Sequence, residues 1–169
     1  MRNVLLSLAG VVLILVNTVS EASTQLNFTV NVIQSCTLSM SSNPLTVNMG
    51  KYPTSFFSKN GTSSPEKPFE IHISGCPNSK IALKWSGGIV TGNEYLLAVD
   101  GALGLGVRII NKPGNQFSTF TRVPNSDMFI TMPDIGNYDF NLAAYYESYQ
   151  DSVTAGPANA SATVEVTYG

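Results

Sequence analysis

The sequence predicts an all-β sandwich of immunoglobulin-like type, and three observations carry that prediction. About seven to nine short runs of alternating apolar residues follow one another along the chain, clusters of Gly, Pro, Asn and Ser separate them, and no amphipathic helix of useful length interrupts them. Short strands that each have one apolar face bury it by stacking two sheets. With no internal repeat and no break in composition, a single domain is expected.

The first residues stand apart from that domain. Arg2 gives a positive start, Val4 to Val19 is almost wholly apolar, and Ser20-Glu21-Ala22 has the small-x-small form of a signal-peptidase site. Residues 1–22 are therefore expected to be a secretory signal, the apolar run being short for a membrane span. No later stretch is apolar enough to re-enter a bilayer, so no membrane span is expected after signal removal.

The strands can then be taken in order. Leu26, Phe28, Val30 and Val32 alternate with Asn27, Thr29 and Asn31, and strand character continues through Cys36 towards Met40. Pro44 to Met49 reads as a short extended piece, and residues 50–66, rich in Ser, Gly, Thr and Pro, read as a surface loop. Phe69, Ile71 and Ile73 alternate up to Gly75-Cys76-Pro77, and Ile81, Leu83 and Trp85 alternate up to Gly87-Gly88. Asn93 to Val99 is the one place where a helical turn is expected. Gly104 to Asn111 is rich in β-branched residues, and Pro113-Gly114-Asn115 signals a turn. Short strands follow around Phe117 to Val123 and Met128 to Met132, each closed by a proline, and Tyr138 to Tyr146 is the next long run. From Ala160 onward the small and apolar residues Ala160, Ala162, Val164, Val166 and Tyr168 alternate with Ser161, Thr163, Glu165 and Thr167. That is a final strand with one buried face and the carboxyl terminus at its end.

Two cysteines, Cys36 and Cys76, are expected to pair in an exported chain, the alternative being two separate buried thiols. Closing that loop would stabilise the fold by about 4 kcal/mol in the chain-entropy model. Two cysteines and one histidine cannot build a zinc site, so no metal is expected. His72 alternates with Ile71 and Ile73, which puts it on the solvent face. The carboxylates are scattered singly, and no Ser-His-Asp or Cys-His set can be drawn. Gly101, Gly104 and Gly106 precede a strand and lack dinucleotide-loop spacing. No catalytic residue, no cofactor and no enzymatic activity are expected. A net charge of −2 argues against nucleic acid as a partner. Of Tyr145 and Tyr146, at least one is expected to point inward.

What remains distinctive is an alternating apolar strand at each end of a small exported β-sandwich. A strand without a neighbour leaves backbone groups unpaired and apolar surface in water, and strand addition by another chain cures both. At this point the chain resembles the subunits of chaperone-usher pili, the type 1 and P fimbrial class. The resemblance is carried by Gly156 at the fourteenth position from the end, the alternating Ala160, Ala162, Val164 and Val166, the penultimate Tyr168, Leu105-Gly106-Val107-Arg108-Ile109 and the Cys36/Cys76 pair. In size the chain is most like a minor pilin or adaptor of the tip.

That resemblance implies a sandwich lacking its seventh strand and completed by a donated one, with residues 23–35 as donor-strand extension and 36–169 as pilin domain. It implies Leu26, Phe28, Val30 and Val32 as donor residues, Val30 standing where the family often carries glycine. Gly156, Ala160, Ala162, Val164, Val166 and Tyr168 would form the acceptor groove and the terminal strand read by chaperone and usher. The implied partners are a periplasmic pilus chaperone, an outer-membrane usher and neighbouring subunits, with passage through the periplasm to a cell-surface fimbrium. The alternative is a single-domain tip adhesin that binds a host glycan or protein.

Overall fold

The computed structural model describes residues 36–113 and 120–169, all of them within one compact unit, Ile33–Gly169. The signal segment 1–22 and the arm residues Leu26, Phe28, Val30 and Val32 lie outside the described residues. The described residues form two antiparallel sheets and one short 3-10 turn, Thr54–Phe56.

The larger sheet contains β1 (Thr37–Ser39), β2 (Lys67–Ser74), β4 (Ile89–Val90), β5 (Asn93–Ala98), β6 (Leu105–Asn111), β7 (Phe120–Arg122) and β9 (Tyr138–Ser148) in the order β1-β2-β9-β6-β5-β4, with β7 also paired to β6. The smaller sheet is β10-β3-β8, formed by β3 (Lys80–Gly87), β8 (Phe129–Thr131) and β10 (Ala162–Tyr168). In immunoglobulin terms β1-β2-β9-β6 is the A-B-E-D sheet and β3 and β10 are strands C and F. The all-β sandwich read from the sequence is the observed fold. Strand G would stand next to β10, but among the described residues β10 has β3 as its one ladder partner.

Alternation decides which face is buried. Ile71 and Ile73 of β2, Ile81, Leu83 and Trp85 of β3, Val107 and Ile109 of β6, and Phe140, Leu142, Ala144 and Tyr146 of β9 form one core. Burial of each large apolar side chain contributes about 1.5–3 kcal/mol. Cys36 and Cys76 are bonded across a Cα–Cα distance of 5.1 Å, tying the start of β1 to the turn that ends β2.

Two expectations fail. Asn93 to Val99 is strand β5, not a helical turn. Its Leu97 pairs with Val107 on one side and Ile89 on the other, and a helical turn would strip both ladders. Residues 50–66 are not a solvated loop throughout: Phe57 is buried in the core and meets Tyr52, Phe56 and Tyr146 edge to face, and Tyr52 also meets Tyr146 edge-on. The polar residues around those rings mask their apolar contribution when only composition is read. Strand β4, two residues long, was below the length at which alternation can be seen.

Candidate functional site

The terminal strand β10 lies antiparallel to β3 with Val164 opposite Trp85, Val166 opposite Leu83 and Tyr168 opposite Ile81. Those three β3 residues belong to the core, so Val164 and Val166 stand on the inner face and pack against it, as does Ala160. Yet both valines are only half-buried, Ala162 is exposed, and Tyr168 retains 51 % exposure. Thr163 and Glu165 point outward, Glu165 in register with Lys84. One edge of this strand is hydrogen-bonded to β3. The other has no ladder partner among the described residues.

The segment that begins at the first cysteine touches the end of this strand at Tyr168. Cys36, Leu38, Met40 and Met49 pack against the core. Leu45, Val47 and Met49 are half-buried while Thr46, Asn48 and Gly50 between them are exposed, the alternation of an extended wall without a ladder of its own. Two contacts bear on the ends of the terminal segment. At one end the Cys36 N–H donates to the Tyr168 hydroxyl at 2.6 Å. At the other the Tyr146 hydroxyl donates to the Ala158 carbonyl at 2.7 Å, and its ring meets Tyr52 edge-on with centroids 6.2 Å apart. Burial pushes the Tyr146 phenol above its ordinary pKa, so it remains a donor at neutral pH. A separate cleft of about 470 Å³ opens nearby between Ser39–Ser41, Leu45–Asn48 and the start of β2, because β1 pairs only with His72–Ser74.

Gly156 lies ahead of β10. Its segment runs along the turn after β5: Asp100 donates to Asn159, Ala102 donates to Pro157, and Thr154 donates to Leu103, all through backbone at 2.9–3.1 Å. A Cβ on Gly156 would stand 3.0 Å from the Ala102 nitrogen and 3.1 Å from the Gly101 carbonyl carbon. Those are backbone atoms that cannot swing away. Gly156→Val is expected to destabilise the subunit by about 1–3 kcal/mol, read as a fall in thermal midpoint of roughly 5 °C.

Other residues singled out by sequence have structural partners. His72 sits in register with Asp139 and pairs with its carboxylate on the outer face. Arg108 makes two 2.6 Å hydrogen bonds to the Glu147 carboxylate, and that bonding raises its pKa. Tyr146 is buried and Tyr145 half-buried, so the inward residue of the pair is Tyr146. Burial brings Arg122 down to about 10, still charged at neutral pH, with its guanidinium over the Phe140 ring. Among the described residues no group of three His, Cys, Asp or Glu side chains is placed to hold a metal ion.

The sequence reading identified the terminal strand. The extended segment from Leu45 to Met49 carries its signal in alternation, but no local cue shows that the chain at Cys36 meets Tyr168, 132 positions later.

The family model described as "Fimbrial protein" matches residues 24–169. The chain is 32% identical over 179 residues to the "Type-1 fimbrial protein subunit" of Serratia marcescens, with 99% of each chain covered. Among solved structures it is similar to the P pilus rod subunit PapA, with a TM-score of 0.62 and 20% identity over 79% of this chain and 99% of that one. It is also similar to a subunit in the structure of a chaperone-usher pilus, with a TM-score of 0.64 and 20% identity over 90% of this chain and 99% of that one.

Proposed function

The chain belongs to the fimbrial protein family and is a structural subunit of a bacterial cell-surface fimbria; from that premise we propose that it is assembled by donor-strand exchange into the groove beside β10. The observation that carries the reading is the outer edge of β10, which has no ladder partner among the described residues while its inner-face valines stay half exposed. An incoming strand would pair with that edge and press alternate side chains against the core beside it.

In the proposed cycle a periplasmic chaperone first supplies the strand. At the outer-membrane usher, the extension of a neighbouring subunit replaces it. Residues 23–35 are this subunit's own donor segment, presenting Leu26, Phe28, Val30 and Val32. Each large donor side chain would contribute about 1.5–3 kcal/mol if fully buried, and no catalytic step is needed. The small single-domain size of the subunit supports placing it as a minor or adaptor component near the tip.

Periplasmic expression of the full chain with and without its pilus chaperone tests this. Soluble subunit is expected almost wholly as a one-to-one complex, with at least about tenfold less soluble protein when the chaperone is absent. A subunit that accumulates alone as a stable, cooperatively unfolding monomer would show the sandwich to be complete by itself.

A further inference from the structure

Among the described residues, the two most exposed large apolar side chains stand at opposite poles of the sandwich. β9 runs for eleven residues between those poles, roughly 33 Å. At the pole where β9 begins, β2 has just ended and Cys76 is bonded to Cys36, so the chain ahead of Cys36 sets out from here. The turn from Pro133 to Gly136 covers this corner. The Asn78 N–H donates to the Pro133 carbonyl at 3.2 Å, the Gly136 N–H donates to the same carbonyl at 2.9 Å, and the Cys76 N–H donates to the Gly136 carbonyl at 3.3 Å. Gly136 has a φ of +71° and lies so close to Pro77 that a Cβ would stand 2.7 Å from the proline nitrogen. Ile135 projects from this fastened turn with 72 % exposure, and Pro77 next to the turn is exposed as well.

At the opposite pole β9 ends and β6 begins, with Leu105 in register with Ser148. The turn between β5 and β6 is clamped there by the segment that leads to β10. The Leu103 N–H donates to Thr154 Oγ1 at 2.8 Å, the Thr154 N–H returns a bond to the Leu103 carbonyl at 3.1 Å, and the Ala102 N–H donates to the Pro157 carbonyl at 2.9 Å. Leu103 keeps 62 % exposure on that clamped turn. β10 starts at this pole, with Ala162 opposite Gly87, and ends at the other, with Tyr168 opposite Ile81. A single exposed leucine or isoleucine is ordinary on a protein surface. These two differ in being held out on bonded turns at opposite poles, one of them where the chain leaves the sandwich.

We infer that Ile135 and Leu103 are contact points of a body-to-body joint: each packs on the facing pole of a neighbouring subunit of the same fold and fixes how the two bodies sit on the strand that links them. The inference rests on the donor-strand reading given above. A subunit that gives its arm at one pole and accepts an arm along β10 extends a fibre only if the accepted arm enters from the other pole. The body of the giver then abuts the Leu103 pole, and the Ile135 pole of this chain abuts the subunit that takes residues 23–35. Because backbone bonds already fasten both turns, little conformational entropy is lost when poles meet. Burial of one such side chain corresponds to about one to two powers of ten in an equilibrium constant.

Ile135→Asp and Leu103→Asp in the full chain test the joint. Ile89→Asp is the control, since Ile89 is 43 % exposed on β4, at the lateral edge of the large sheet. All three variants should be captured by the pilus chaperone to within about twofold of the unmodified chain and unfold within about 2 °C of it, because surface substitutions rarely move stability. In isolated fimbriae held in detergent at one temperature, Ile135→Asp and Leu103→Asp should each release the subunit about tenfold faster, and Ile89→Asp less than about twofold faster. Pole variants released no faster than the edge variant would overturn the joint. So would a folded pole variant already lost at chaperone capture, which assigns its side chain to that earlier contact. Ile135→Ser and Leu103→Ser remove the same apolar groups without adding a charge and decide the case if an aspartate variant does not fold. An unmodified chain that the chaperone fails to capture counts against the donor-strand reading, and the joint falls with it; intact capture with unchanged release strikes the joint alone.

Discussion

Replacing Val166 by aspartate is expected to abolish recovery of the subunit in complex with a pilus chaperone. Val166 stands opposite the buried Leu83 and packs against the core from the open side of the groove. In the free subunit it is only half-buried, so a carboxylate there can keep contact with water, and the thermal midpoint should fall by only a few degrees. Once a strand covers the groove that escape closes. An uncompensated buried charge costs about 3–5 kcal/mol, equivalent to a loss of affinity of roughly a hundredfold to several thousandfold. Thr163→Asp adds the same charge to the same strand on its outer, exposed face and should change the yield less than about twofold. Equal effects of the two substitutions would mean that net charge, not the groove, governs capture.

Removing the disulfide by Cys36→Ser together with Cys76→Ser carries the second large effect. The bond closes a sequence separation of forty residues, and its loss should cost about 3–4 kcal/mol. For a chain of this size that corresponds to a fall in thermal midpoint of roughly 10 °C, measured by circular dichroism with and without reductant. The unmodified protein under reductant should fall to the same midpoint as the double variant. Because the Cys36 N–H holds the Tyr168 hydroxyl, the loss also loosens the end of the terminal strand. Chaperone capture should therefore decline together with stability.

Much of this architecture was legible because alternation reports directly on a strand with one buried face. Ile71 and Ile73, Ile81 to Trp85, Leu105 to Asn111 and Val164 to Tyr168 all fall in observed strands. The helical turn expected at Asn93 to Val99 failed for a physical reason: adjacent Leu96 and Leu97 are both buried, a pattern that strands of a two-layer fold and helices share. The burial of Phe57 was hidden by its polar neighbours. The terminal strand was legible because its apolar residues alternate through Tyr168. The tie between Cys36 and Tyr168 was not, since it is a property of the three-dimensional path.

The bond between Cys36 and Cys76 also has a mechanical consequence. In a fibre loaded through the chain ahead of Cys36, force entering the sandwich meets the disulfide at Cys36. If β1 peels from β2, the thirty-nine residues between the cysteines still cannot lengthen, because their ends stay about 5.1 Å apart between Cα atoms. At about 3.3–3.6 Å per residue, roughly 130 Å of contour length is withheld from extension. Tension is instead shared between the covalent crosslink into the turn after β2 and whatever strand lies beside β10, so the residues between the cysteines carry none of the extension.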